Sequence, residues 1–311
     1  MDYAPFSEEL KNNYHKELID LRQISKKAFL LNTNDEYCFM KNCDKELDKK
    51  YKFLYNVGVS NVLFPYQNNS FNYVSLYNDQ YFFISPYYKN NNDLLQEVKA
   101  QYLFDNLITL HNTTAFKRQL SVKNSRKKID EITKQLNYKF SLIENFIRSI
   151  ETKPLDYYSM PILSNYQYIL NAKFELVKLE KSIIQSIKEE VSVDFVFVHN
   201  NPKLDHLLID HGHCYLTSID RSKIGLPALD IAKFYIENED LNIDFVYLLK
   251  EYFKIHDEKI YYDYFRFLVL FIYIKQIDLN GFNNETVNTF VSLATSIKTF
   301  MIRFNDNTIK E

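Results

Sequence analysis

The chain has 311 residues, of which 46% are hydrophobic and 25% charged, with 38 Lys+Arg against 40 Asp+Glu. These fractions exclude wholesale disorder, and the near-neutral charge gives no electrostatic case for nucleic acid or an anionic membrane as a partner. Only four glycines occur, at 58, 212, 225 and 281. Average usage is roughly 7%, so a fold rich in glycine turns around phosphate must do without its usual residue.

The N-terminal segment MDYAPFSEELKNNYHKEL is polar and lacks the basic and apolar regions of a secretory signal. The longest apolar run, Phe267 to Ile274, is far shorter than the roughly 20 residues of a membrane span. Cys38, Cys43 and Cys214 form neither a CxxC pair nor an even disulfide set. Reduced thiols in a cytoplasmic protein are the expectation.

In chain order, residues 6–22 carry apolar positions at near-helical spacing. KAFLLN and EYCFMK then read as a hairpin around Thr33-Asn34-Asp35. Residues 44–57 predict a helix capped by Asp44 and stopped by Gly58. Two strands, FNYVSLY and QYFFISPYY, follow around Asn78-Asp79, and Pro86 ends the second. Residues 90–93 (NNND) read as a linker and N-cap. Helices are predicted over 93–111, 120–152 and 165–191, and the basic cluster at 117–128 reads as a solvated helix face. VDFVFVHN is strand-like, and HLLID and CYLTSID flank His211-Gly212-His213 as a hairpin. Helices resume from Leu229. The sum is α+β: a sheet-rich N-terminal lobe over 1–88, and a helical C-terminal lobe over 89–311.

Residues 195–235 carry the chemistry. The frame is His199-Asn200-Asn201, then His206, then Ser218-Ile219-Asp220, then Pro227-Ala228-Leu229-Asp230-Ile231-Ala232. It resembles the catalytic segment of the aminoglycoside phosphotransferase and choline kinase group, including its spore-coat kinase-like members, which reads H-G-D-x-x-x-x-N, I-D-[FW]-[DE] and P-x-x-D-L-A. Lys41 falls where that family's phosphate-contacting strand lysine would be, and Leu107 to His111 resembles its L-x-x-L-H helix end. The resemblance implies a two-lobed protein-kinase-like fold, with ATP and Mg²⁺ as cofactors if the protein is active.

The resemblance also assigns roles. The catalytic Asp position is Asn201, whose amide cannot act as a general base. The Asn ligand position is His206, and imidazole is a poor Mg²⁺ ligand. Twelve residues before Asp230, the family's spacing, the metal Asp position is Ser218; a two-residue gap would put Asp220 there instead. His199 is expected to be structural, and Asp230 to brace the loop. Lys41 is either a phosphate ligand or a solvent-facing strand-end lysine, with Glu46 or Asp48 as possible partners. The segment Leu31 to Asp35 is the expected turn over the nucleotide, with Asp35 adding negative charge near phosphate. His206, His211, His213 and Cys214 lack zinc-site spacing.

Three functional readings follow. The first is a catalytically degenerate kinase-like protein that binds a ligand, nucleotide or partner. The second is an active phosphotransferase in which Asp205 and Asp220 replace the usual carboxylates. The third is a helical scaffold without kinase ancestry, which a missing five-stranded N-terminal sheet would favour.

Overall fold

The computed structural model describes residues 3–89, 94–188, 192–255, 259–279 and 281–305, so the linker expected at 90–93 lies outside the described residues. The chain divides into two compact units, one of residues 1–115 with 196–225, the other of 116–195 with 226–311.

The first unit opens with helix α1 (Tyr3–Tyr14). Strands β1 (Leu18–Ser25), β2 (Ala28–Thr33), β3 (Tyr37–Asn42), β4 (Ser75–Tyr77) and β5 (Gln80–Pro86) form a five-stranded antiparallel sheet in the order β1-β2-β3-β5-β4. This is the sheet whose absence would have favoured the scaffold reading. Phe6, Leu10 and Tyr14 recur every four residues, so α1 presents one apolar stripe. That stripe packs with Leu31, Cys38, Met40, Phe82 and Ile84 in one buried cluster. Side chains alternate across a strand, so Phe39 and Phe83 face the other way. There they meet each other at 6.3 Å between ring centroids, and Phe83 meets Tyr51 of helix α2 (Glu46–Asn56) at 6.2 Å.

Two expectations need correction here. Residues 6–22 are not one helix: α1 ends at Tyr14, and β1 begins at Leu18. Lys45, not Asp44, occupies the N-cap of α2, and it makes no side-chain capping bond. The Asn78-Asp79 turn and the Gly58 stop are present, with φ of +47°, +59° and +79°.

Helix α3 (Gln96–Thr114) completes this unit together with residues 196–225. Asn61 Nδ2 donates to the Asn106 carbonyl of α3 (2.7 Å), and Phe197 N–H donates to Thr114 Oγ1 (3.0 Å). Leu63 N–H donates to the Leu216 carbonyl at 2.9 Å. These bonds tie the sheet's connecting loop, α3 and the 196–225 segment into one body.

In the second unit, β6 (Phe116–Gln119) pairs with the first half of β7 (Ser192–Val198). Residues 117–119 of the basic cluster are therefore strand, not helix. Helices α4 (Val122–Glu151), α5 (Ser159–Lys188), α6 (Ala228–Asn238), α7 (Phe245–Ile255), α8 (Lys259–Gln276) and α9 (Asn284–Arg303) make up the rest of its regular structure. Tyr235, Phe245, Phe265, Phe300 and Phe304 form its aromatic centre, with Tyr235 5.1 Å from Phe245 and 5.3 Å from Phe300. These five aromatic side chains thus serve packing. Arg266, almost fully buried on α8, pairs with Glu175 of α5 at 2.5 Å, which satisfies a charge that could not be buried alone. No helix among the described residues is long and apolar enough to cross a membrane.

Candidate nucleotide site

The second half of β7 pairs with β10 (Lys223–Gly225), and the residues between them form the candidate site. After β7 the chain turns at Asn200, whose φ is +64° and whose Nδ2 donates to the Arg221 carbonyl at 2.8 Å. His199 is buried. Its Nε2 lies 2.7 Å from the Thr217 carbonyl, and its Nδ1 accepts the Asn201 N–H at 3.3 Å. One ring nitrogen donates and the other accepts, which fixes a neutral tautomer. His199 thus bonds main-chain groups at both ends of the segment from Asn201 to Thr217.

His206 ends a single 3₁₀ turn, Leu204–His206, rather than starting a strand. Its Nδ1 is 2.8 Å from the Asn201 carbonyl and donates to it, leaving Nε2 as the acceptor nitrogen. Burial lowers its pKa, with a smaller opposing contribution from the Asn201 bond. Strand β8 (Leu207–Asp210) and β9 (His213–Leu216) then form the expected hairpin, turning at His211 (φ +45°) and Gly212 (φ +82°). His211 and His213 are exposed and build no metal site.

The chain next reverses at Ser218, a non-glycine residue at φ +57°. Such a conformation costs about 1 kcal/mol or more and survives only where neighbours enforce it. The enforcing contacts are visible. Ile219 is buried, and Ser222 Oγ donates to its carbonyl at 2.5 Å. Lys50 of α2 donates to the carbonyls of Asp220 (2.6 Å) and Ser222 (2.7 Å), and burial lowers its pKa.

Lys41, at the end of β3, donates from Nζ to Asp220 Oδ2 at 2.6 Å. It is a half-buried, paired lysine rather than a solvent-facing one. The partners expected from the sequence are engaged elsewhere. Glu46 pairs with Lys49 at 2.9 Å and Asp48 with Lys52 at 2.8 Å.

Two cavities flank this pair. The first, about 450 Å³, is walled by Phe39, Leu63, Phe83, Tyr88 and Leu208, with Lys41, Asp205 and Ser218 on its polar side. Tyr88 stacks on Tyr215 at 6.0 Å and 12° between planes. The second cavity, about 380 Å³, is lined by Lys27, Lys41, Cys43, Asp44, Asn201, His206, Ser218, Asp220 and Arg221. The first thus brings Lys41, Asp205 and Ser218 together, and the second Lys41, Asn201, His206, Ser218 and Asp220. Asp205 and Asp220 line different cavities. Asp230, the eighth residue singled out by sequence, is buried in the first turn of α6 in the second unit.

The segment Leu31 to Asp35, expected as the turn over a nucleotide, lines neither cavity. Ile24 lines the first and Lys27 the second. The turn that reaches the site is Lys26-Lys27, between β1 and β2, and it carries cations where the sequence reading placed Asp35. Lys27, Arg221 and Lys50 are the site residues that sequence reasoning missed. The adjacent lysines after Ser25 were the available signal.

The donor set does not fit Mg²⁺. That ion requires hard oxygen ligands in octahedral geometry. The positions assigned to its ligands hold a hydroxyl, Ser218, and an imidazole, His206. Of the two carboxylates lining the polar cavity, Asp220 is engaged by Lys41. Among the described residues no three His, Cys, Asp or Glu side chains converge to hold a metal. Cys43 has its thiol pushed up to about 12 by burial and then by Asp220 and Asp44.

Solved structures match the chain over nearly its full length. An aminoglycoside phosphotransferase from Alicyclobacillus acidocaldarius aligns over 94% of this chain and 93% of its own, with a TM-score of 0.63 at 11% identity. The chain has the two-lobed, protein-kinase-like fold of the aminoglycoside phosphotransferases. A thermostable mutant of aminoglycoside phosphotransferase APH(4)-Ia, in ternary complex with ADP and hygromycin B, covers 96% of this chain and 98% of its own at TM-score 0.55 and 13% identity. Another mutant of that enzyme, with AMP-PNP and hygromycin B, gives TM-score 0.55, 12% identity and coverage of 96% and 97%. No protein-family model matches the sequence, and no curated protein does. At these identities the phosphotransferase fold is what is shared.

Proposed function

We infer that this phosphotransferase-fold chain binds a nucleotide in the first unit and does not transfer its phosphoryl group. The observation that carries the reading is the apolar cavity of about 450 Å³ with Lys41 at its polar side. Its size falls within the range of small-molecule sites, and its aromatic walls suit a flat base. Lys41 is placed to reach a phosphate from there. Structures of this fold have been determined with ADP and with AMP-PNP, which supports the same ligand class here.

Catalysis is what the residues do not support. Phosphoryl transfer depends on positioning and charge, and on a group that accepts the acceptor's proton. Asn201 offers an amide in that place, and its main chain is tied to His199 and His206. Of the two alternative carboxylates, Asp205 lines the apolar cavity and Asp220, which lines the polar one, is already held by Lys41. The free thiols Cys38, Cys43 and Cys214 agree with a cytoplasmic location, which cell fractionation tests.

Thermal melting with and without ATP, paired with an assay for ADP release over a panel of hydroxyl acceptors, tests the reading. A ligand at a hundred times its Kd stabilises the fold by about 2.7 kcal/mol. A raised melting temperature with no turnover is expected. Turnover that an Asp220→Ala change abolishes would overturn the inactive assignment.

A further inference from the structure

The two cavities meet at Lys41 and Ser218, which line both. A ligand whose base fills the apolar cavity would extend its polar tail into the second. Three cations, Lys27, Lys41 and Arg221, face two carboxylates, Asp44 and Asp220, in that second cavity, leaving a net charge of +1. Lys27 comes from the β1–β2 turn, Lys41 from β3, and Arg221 from the 3₁₀ turn after Ser218. Lys27 and Arg221 are exposed, so neither is locked into a structural ion pair by burial.

We propose that the phosphates of the nucleotide are held in this cavity without a divalent cation, by Lys27, Lys41 and Arg221. This rests on the reading that the apolar cavity takes the base. Two observations converge on it. The donor set fails Mg²⁺, as shown above, while its cations suit phosphate directly. Arginine and lysine make short charge-assisted bonds to phosphate oxygens, and arginine can do so bidentately. The Ser218 hydroxyl and the Asn201 amide add neutral donors on the same wall. Lys41 has three donors, so it keeps its bond to Asp220 and meets a phosphate oxygen with another. Mg²⁺ would then compete with the lysines for the phosphate oxygens instead of recruiting the nucleotide.

Calorimetric titration of the full chain with ATP, first in EDTA and then in excess Mg²⁺, tests this, with adenosine as the phosphate-free probe. The affinity in EDTA is expected to equal or exceed that in Mg²⁺ and to fall with rising salt. Lys27→Glu and Arg221→Glu are each expected to weaken ATP by about tenfold or more. Both should leave adenosine binding and the melting temperature unchanged. Binding of ATP only with Mg²⁺ overturns the proposal and leaves the nucleotide reading standing. Tight binding in EDTA that neither charge reversal disturbs removes these residues from the phosphate site, and so overturns it too. Failure of both ATP and adenosine in both buffers overturns the proposal together with the nucleotide reading.

Discussion

Lys41 and Asp220 lie 179 residues apart in the chain and 2.6 Å apart in the fold. The pair closes the contact between the sheet and the loop after β9, and it sets Lys41 between the two cavities. A lysine held by a carboxylate is positioned but neutralised. The first expected outcome concerns that balance. Asp220→Asn frees Lys41 and should tighten ATP binding by about tenfold, one such step being 1.4 kcal/mol. Lys41→Ala should weaken binding by at least as much. Both side chains are partly exposed, so the cost to folding is within about 1 kcal/mol. If Asp220 were a metal ligand, Asp220→Asn would instead weaken Mg²⁺-dependent binding. Titration of the two variants separates these roles.

Lys50 is a structural counterpart to that pair. It is half-buried and donates to the carbonyls of Asp220 and Ser222. Lys50→Met keeps the stem and removes the donors. Stranding partly buried acceptors should cost about 1–3 kcal/mol. Urea unfolding reads this as a lower midpoint with an unchanged slope. A midpoint equal to that of the wild type would show that the Ser218 turn holds without Lys50.

His206 gives the chain a pH dependence with a definite sign. Burial holds its folded pKa below the ordinary 6.5. Below that value the unfolded chain binds a proton that the folded chain resists, so unfolding is favoured as pH falls. The stabilising share of neutral His206 is therefore present above 6.5 and lost as pH drops through the folded value. His206→Gln keeps a donor for the Asn201 carbonyl and should flatten this part of the stability curve. Denaturation midpoints across pH 5 to 8 (roughly the range in which histidine titrates) check it, and an unchanged curve would assign the effect elsewhere.

Much of the site was legible as order along the chain and little of it as contact. The Asn78-Asp79 hairpin, the Gly58 stop and the His211-Gly212 turn were readable because positive φ selects particular residue types. The frame from His199 to Asp230 was readable because its spacing is local. Strand β1 was not: most of Leu18–Ser25 is exposed, and it bonds only to β2 at the sheet's edge, so no alternating apolar pattern marks it. Strand β6 is exposed at all four positions and failed for the same reason. Missing β1 displaced the turn reaching the site from Lys26-Lys27 to Asp35. The Lys41–Asp220 pair was hidden because nothing local encodes a contact across 179 residues.

Placing carboxylates at positions 201 and 218 tests the assignment of those positions as catalytic and metal-ligand positions. Asn201→Asp with Ser218→Asp supplies two hard oxygen donors, and Asp tolerates the left-handed conformation that position 218 requires. The double variant is expected to acquire Mg²⁺-dependent stabilisation by ATP that the wild type lacks. Melting curves with ATP, with and without Mg²⁺, show it directly. No gain would mean that Asn201 and Ser218 do not occupy the ligand positions.

The most direct test of nucleotide binding in the first unit is the electron density of crystals grown with ADP and EDTA. Density for the base between Phe39, Phe83 and Leu208, with the phosphates within hydrogen-bonding distance of Lys41, is the expected result. A nucleotide bound away from Lys41, or an empty cavity at saturating ADP, would contradict it.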